Sequence, residues 1–240
     1  MSNPLHQFEV KPIIPIEWNG MNLSLTNASL FMALSAFCGI CIMWFLVRKQ
    51  KLVPTTAQSV GEYTFGFVKN IAKDGIGEGY EKFIPFIFSV FLMVFCGNFL
   101  GLFPYSFTFT SQLAPVGAFA LLGLIVNIIA GLKNQGLGWF RTFLPTGIPL
   151  FMAPIIIPIE MFSMLVKPFS LTVRLVMNMI VGHILLKTMA GFVYSLGLAG
   201  FVPLFVVGIL MLFEMFIAFL QAYVFTLLTS LYIGQAIHSH

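Results

Sequence analysis

The chain has 240 residues, of which 59% are hydrophobic and only 8% are charged, against roughly 25% charged residues in an ordinary soluble domain. Twelve basic and eight acidic side chains cannot cover a soluble surface of this size, so lipid must solvate most of the exterior. The net charge of +4 does not indicate nucleic acid, because the basic residues lie beside hydrophobic spans and not along a stripe with stacking aromatics.

The N-terminal segment, residues 1–29, is polar and contains several prolines. It lacks the basic stretch followed at once by an apolar run that marks a signal peptide. It is therefore predicted to lie outside the bilayer, on the outer side. Residues 30–47 form the first predicted span, and the basic cluster after it, Arg48, Lys49 and Lys51, predicts the inner face.

Residues 57–74 are predicted to form an amphipathic helix in the membrane surface. One helical face carries Val60, Thr64, Phe67, Val68 and Ile71. The opposite face carries Glu62, Gly66, Lys69, Asn70 and Lys73. A plain solvated loop is the alternative interpretation.

Two further spans are predicted at 83–103 and 115–132, since fifty residues here carry no charge. The Ser-, Thr- and Pro-rich stretch between them is predicted to be a loop on the outer side. Lys133 and Arg141 then return the chain to the inner side. The four prolines at 145, 149, 154 and 158 argue against a regular helix through 145–158.

Residues 159–237 are predicted to form a long helical hairpin with a glycine-containing turn at 195–200. Each arm of about 35 residues would be ~50 Å long, against a hydrocarbon core of ~30 Å. The arms should therefore be strongly tilted. The predicted fold class is an all-α integral membrane protein with five membrane helices and one amphipathic surface helix.

The hairpin carries charged residues that a lipid-embedded segment should avoid, since Arg or Lys at mid-bilayer costs roughly 2.5–3.5 kcal/mol. Such residues are functional candidates by default. Glu160, Lys167 and Arg174 are spaced by seven and form one stripe, which Asn178 extends, and Glu214 and Gln221 form a similar pair on the second arm. The charged and titratable residues within the apolar sequence are Glu160, Lys167, Arg174, His183, Lys187 and Glu214.

Structural explanations remain open for most of these residues. Lys167 and Lys187 could extend to the membrane interface, and Glu160 could form an ion pair with Lys167. A purely structural role does not account for Arg174, because it cannot lose its proton and no carboxylate lies three or four residues away to pair with it. A functional role is predicted for it.

His183 and Glu214 are the groups suited to proton exchange, because histidine titrates near neutral pH and a desolvated carboxylate can do so. A buried pair with no transport role is the alternative. The sequence carries no motif for nucleotide or haem binding. There is no phosphate-binding glycine loop, and the histidines cannot ligate haem within the spans. Cys38, Cys41 and Cys96 are too few for a zinc site, so no cofactor or metal is predicted.

Residues 167–186, KPFSLTVRLVMNMIVGHILL, resemble subunit a of the F-type ATP synthases. The family signature is a serine, an arginine and an asparagine four residues later, matched here by Ser170, Arg174 and Asn178. The runs GNFLGLFPYSF (97–107) and LQAYVFTLLTSLYIGQA (220–236) resemble the second span and final helix of the family, and NPLHQFEV (3–10) also fits. The resemblance covers nearly the whole chain.

The resemblance implies two offset aqueous half-channels that pass protons to and from the carboxylates of a rotating c-subunit ring. Arg174 matches the essential arginine between the half-channels, with Lys167 and Ser170 in supporting positions. The order of His183 and Glu214 resembles mitochondrial and related bacterial members, since other members exchange the two residue types. The positions on the proton path of the family are Glu160, Asn178, His183, Glu214 and Gln221.

The family also implies partners and a location. The chain would not be an enzyme by itself, but would work with the c ring, the subunit b peripheral stalk and the F1 sector. It would lie in a bacterial inner membrane or a mitochondrial inner membrane, with the N-terminus outside and the C-terminus on the cytoplasmic or matrix side. The competing hypotheses are a proton-coupled secondary transporter, a membrane subunit of a redox complex and a structural scaffold.

The hairpin geometry predicts which residues face each other. For a turn centred between Gly197 and Gly200, residues whose numbers sum to about 397 lie at one level. His183 should then lie level with Glu214, within reach of a direct or water-mediated hydrogen bond. Arg174 should lie level with Gln221, whose amide oxygen can accept from the guanidinium.

Overall fold

A computed structural model describes residues 10–15, 17–18, 21–22, 24–48, 51–103, 106–136, 138–139, 150–195 and 200–238. Six α-helices dominate this part of the chain: α1 (Asn27–Val47), α2 (Thr56–Ile76), α3 (Ile84–Gly101), α4 (Leu113–Gln135), α5 (Ala153–Ser195) and α6 (Phe201–His238). All but α2 are long and apolar enough to cross a membrane. The predicted fold class, an all-α membrane protein with five membrane helices, is confirmed.

The N-terminal segment contains two short antiparallel strand pairs that the sequence pattern did not indicate. Strand β1 (Pro12–Ile14) pairs with β4 (Leu25–Thr26), and β2 (Glu17–Trp18) pairs with β3 (Met21–Asn22). The last strand leads into α1 through a capping box, in which Thr26 and Ser29 exchange side-chain to backbone hydrogen bonds. This cap starts the first helix at Asn27, three residues before the predicted span.

Helix α6 is the centre of the bundle, because α2, α3, α4 and α5 all pack against it. The closest approach is to α2, where a Cβ on Gly234 would collide with the carbonyl of Gly75. A Cβ on Gly75 would in turn collide with the hydroxyl of Ser230. Small residues at helix contacts are the usual means of close packing in membranes, since lipid gives no hydrophobic drive to associate.

Helix α2 has the predicted two faces, but its apolar face packs largely on protein. Val68, Ile71, Ala72 and Ile76 are buried in the core. Val60, which the pattern placed on the same face, remains 51% exposed. The buried apolar residues therefore lie in the C-terminal half of the helix, which packs on α6, while Gln58 and Gly61 are the buried residues of the N-terminal half.

Helix α5 begins at Ala153 and includes Pro158 and Pro168, so the expectation of no regular helix is wrong for 153–158. Residues 145–149 lie outside the described residues. Pro154 is tolerated because the first helical turn has no use for its missing N–H. Proline further along a membrane helix is tolerated where neighbouring groups satisfy the freed carbonyl. At 43 residues α5 is ~64 Å long, which exceeds a hydrocarbon core of ~30 Å.

The predicted glycine turn of the hairpin covers residues 195–200, of which 196–199 lie outside the described residues. The adjoining residues do show how closely the two arms approach. A Cβ on Gly200 would come within van der Waals overlap of the Val193 carbonyl. Helices α5 and α6 therefore lie side by side from this end onward.

Candidate functional site

Arg174 lies at the midpoint of α5, and its side chain is exposed on the surface of the chain. The next two residues, Leu175 and Val176, are buried in the core with exposed fractions of 1% and 5%. They fix the rotation of the helix, so that Ser170 and Arg174 point outward and Asn178 lies at the edge of the same face. Among the described residues, none accepts a hydrogen bond from Arg174.

The prediction of a hydrogen bond between Arg174 and Gln221 is therefore wrong. Gln221 is 7% exposed and belongs to the buried stripe of α6, beside Ala218 and Ala222. Arg174, in contrast, is exposed. The two residues lie near the middle of neighbouring helices, but one is exposed and the other is buried. Counting residues from the turn predicts their level and not their burial.

Glu214 faces α5 at the level that the hairpin geometry predicted. A Cβ built on Gly182 would lie 2.6 Å from Glu214 Oε1 and 3.0 Å from Cδ. The two residue numbers sum to 396, one less than the predicted sum. Glu214 is 5% exposed, and both of its carboxylate oxygens lack a hydrogen-bond partner among the described residues.

His183 makes a contact that the sequence did not predict. Its Nε2 atom lies 3.1 Å from the Oγ1 atom of Thr108, in the loop between α3 and α4. The carboxylate of Glu214 packs beside the neighbouring Gly182 and accepts no hydrogen bond from the histidine. His183 and Glu214 thus lie at the same height along the hairpin, as expected, but they do not form a direct hydrogen bond with each other.

Lys167 lies at the other end of the site, between α5 and the last turns of α6. Its ammonium group donates to Gln235 Oε1 at 3.4 Å and lies 5.2 Å from the ring centroid of Tyr232. The alternative in which Lys167 pairs with Glu160 is not what the structure has. Glu160 is half-buried one to two turns after the start of α5.

A cavity of about 40 Å³ adjoins Lys167, between α4, α5 and α6. This volume is large enough for water, which needs about 10–15 Å³ of such space. Asn127 lines the cavity together with Thr229 and Tyr232, and its Oδ1 atom is buried without a hydrogen-bond partner among the described residues. The cavity therefore has polar groups that water can satisfy.

Sequence reasoning missed Thr108, Asn98 and Gly182. Thr108 and Asn98 are uncharged, and their segments were predicted to be an outer loop and a membrane span. The local signal that could have marked Asn98 is a polar amide within an apolar span, and the structure shows that this residue is fully buried. Nothing in the local pattern distinguished Gly182 from other helical glycines.

The sequence matches the family described as ATP synthase A chain over residues 29–234. It is 45% identical to ATP synthase subunit a of Rhodospirillum rubrum, over all of both chains. It is 44% identical to the protein of that name from Rhizobium leguminosarum bv. trifolii, over 99% of this chain and 98% of the relative. The relative from Agrobacterium fabrum is 42% identical over the same shares.

Proposed function

Because this chain belongs to the ATP synthase A chain family, and is thus an Fo subunit of an F-type ATP synthase in the membrane, we propose that it conducts the protons that turn the c ring. In this proposal the chain forms two half-channels that end at the ring surface. The ring, the subunit b stalk and the F1 sector are its partners, and ATP chemistry belongs to F1.

The observation that carries the proposal is the position of Arg174. The guanidinium is permanently charged, lies at the centre of a membrane helix and is exposed to the surroundings of the chain. A cation facing lipid there would cost roughly 2.5–3.5 kcal/mol, and no carboxylate among the described residues forms an ion pair with it. A carboxylate supplied by another chain would remove this cost, and the ring carboxylates are the partners we propose.

The charge of Arg174 explains how the two half-channels are kept apart. A fixed positive charge repels a proton that would pass directly between them. It also favours the ionised form of an approaching carboxylate, so that the carboxylate releases its proton on arrival. Each proton that moves down 100 mV supplies about 2.3 kcal/mol, and a leak past the arginine would dissipate this energy.

We propose that His183 and Glu214 line the outer half-channel. Both lie in the half of the hairpin nearer its turn, and neither oxygen of the buried carboxylate has a hydrogen-bond partner among the described residues, so water entering from that side could exchange protons with it. The inner half-channel is proposed to lie beyond Arg174, where Lys167 and the cavity with Asn127 are found. Asn178, Glu160 and Gln221 are proposed, from the family resemblance, to belong to the same path.

The proposed orientation places the N-terminus outside and the C-terminus in the cytoplasm, in a bacterial inner membrane such as those of the bacterial relatives. The basic residues after α1 and at the end of α4 support it, since basic loops face inward. Five crossings then put the two termini on opposite sides.

The test replaces Arg174 in the assembled ATP synthase and measures ATP-driven acidification of inverted membrane vesicles. Arg174→Ala is expected to abolish pumping, and Arg174→Lys to lose most of it, because lysine lacks the planar fork and can lose its proton in a dry site. Met177→Ala, which changes another exposed side chain on the same helix, serves as the control. Near-normal pumping by the Arg174→Ala enzyme would overturn the proposal.

A further inference from the structure

The loop between α3 and α4 folds back into the helix bundle. Residues 107–111 of this buried loop (residues 106–112) are between 1% and 8% exposed. Phe109–Ser111 form one 3-10 turn, and the residues around them are irregular. In a membrane protein, such interruptions of α-helical backbone occur only where protein buries them or where they line a water-filled cavity. The loop contains no charged residue, yet it carries three hydroxyl side chains among these five positions.

Two glycines of α3 allow the buried loop to approach so closely. A Cβ on Gly101 would lie 2.5 Å from the Thr108 methyl group and 2.6 Å from its hydroxyl. A Cβ on Gly97 would collide with the ring of Phe109. Side chains at these positions would displace the loop, so the surface of α3 is shaped to receive it.

Thr108 connects the buried loop to His183 through the 3.1 Å contact between Oγ1 and Nε2. A hydroxyl can both donate and accept. It can therefore accept from Nε2 when that nitrogen carries a proton and donate to it when the nitrogen is bare. A hydroxyl at this position can therefore stay in contact with the ring through a cycle of protonation, which neither a carbonyl nor an ammonium group could do.

Four buried polar atoms near this contact have no hydrogen-bond partner among the described residues: Asn98 Oδ1, Thr110 Oγ1 and both oxygens of Glu214. They belong to one neighbourhood. Asn98 donates to the carbonyl of Ala218 at 3.2 Å, one turn from Glu214 on α6. Thr110 packs against Gly97, beside Asn98. Buried polar groups that lack a protein partner are usually satisfied by water.

We infer that Thr108 is a positioning residue for His183, and that the buried loop, with Asn98 and Thr110, lines the water path by which protons reach Glu214. The inference rests on the proposed function, since it concerns the outer half-channel. It assigns the loop a direct part in that path through a hydroxyl that holds the histidine ring.

The test compares Thr108→Val, which removes the hydroxyl at constant shape, with Thr108→Ser, which keeps it. Passive proton flux through Fo is measured in vesicles after removal of F1, and is normalised to the amount of assembled complex. Valine should lower the flux about fivefold to tenfold, the rate equivalent of one net hydrogen bond, and serine should restore most of it. Thr188→Val is the control, because its exposed hydroxyl bonds only to its own helix.

Wild-type flux in the Thr108→Val complex would overturn the inference. So would a serine variant as slow as the valine variant, because the methyl group and not the hydroxyl would then matter. The result is distinguishable from failure of the proposed function. If Arg174→Ala abolishes pumping while Thr108→Val conducts normally, only the positioning role fails.

A second measurement tests the water path even if valine impairs assembly. Thr110→Cys is introduced into a chain whose three native cysteines are replaced, and flux is measured after exposure to silver ions. Silver ions added on the outer side of the membrane, where the buried loop lies in the proposed orientation, are expected to inhibit the proton flux rapidly. Thr226→Cys, equally buried but bonded within its own helix, should be protected from that side. Inhibition no faster at Thr110 than at Thr226 would overturn the water path.

Discussion

Gly182 sets the position of the Glu214 carboxylate, and its replacement by alanine tests the role of that carboxylate. A Cβ at this position would lie 2.6 Å from Oε1, 3.0 Å from Cδ and 3.4 Å from Cγ of Glu214. Ordinary contacts between such atoms are about 3.5 Å. The carboxylate would therefore have to retreat by about 1 Å.

The cost to stability should be small. The atoms that must move are the end of a flexible side chain, and an off-rotamer torsion costs about 0.5–1.5 kcal/mol. Alanine in a helix interior recovers about 1 kcal/mol relative to glycine, which offsets this. Function is more sensitive, because a misplacement of about 1 Å at a transfer site can slow a reaction about 100-fold. Gly182→Ala should thus assemble normally and conduct protons 10- to 100-fold more slowly, by the same estimate.

The assay uses inverted membrane vesicles and three readouts: content of the chain, ATP hydrolysis by bound F1, and proton flux with and without F1. Gly191→Ala is the matched control. It lies on the same helix and gains the same helix propensity, but its Cβ would meet nothing within 4 Å. The control should match the wild type in every readout.

The reasoning would be refuted if Gly182→Ala conducted as fast as Gly191→Ala. Glu214 would then tolerate displacement, and its carboxylate could not be a point of proton transfer at the observed position. Loss of the chain from the membrane would refute the stability estimate instead. The two outcomes are separated by the measured content of the chain.

Two further predictions concern topology and packing. Both Ile14 and Val53 are exposed. In a chain without native cysteines, Ile14→Cys should react with an impermeant thiol reagent only from outside, and Val53→Cys only from inside. Reaction of both from the same side would contradict the proposed orientation. Gly75→Ala should lose about 1–3 kcal/mol of stability through overpacking, because its Cβ would also lie 3.1 Å from the backbone nitrogen of Leu231. Gly66→Ala on the same helix has open space and should be at least as stable as the wild type, as measured by denaturation of the purified complex. Equal stability of these two variants would show that α2 and α6 do not pack as closely as described.

The sequence alone determined that the chain is embedded in lipid and crosses it five times. Hydrophobic transfer free energies add along the chain, so a run of about 20 apolar residues identifies a span without knowledge of its neighbours. The charge of Arg174 within such a run was equally visible, because its cost in lipid is local. The level of His183 and Glu214 followed from counting residues back from the predicted turn.

Tertiary structure decided which side chains meet. Thr108 and His183 are 75 residues apart in sequence, and Asn98 and Ala218 are 120 apart. These contacts depend on how each helix is rotated about its axis. In a soluble protein the polar face would reveal that rotation. In a membrane the face towards lipid and the face towards protein are both apolar. The pattern along α5 and α6 could therefore place Gln221 level with Arg174, but it could not show that Gln221 is buried while Arg174 is exposed.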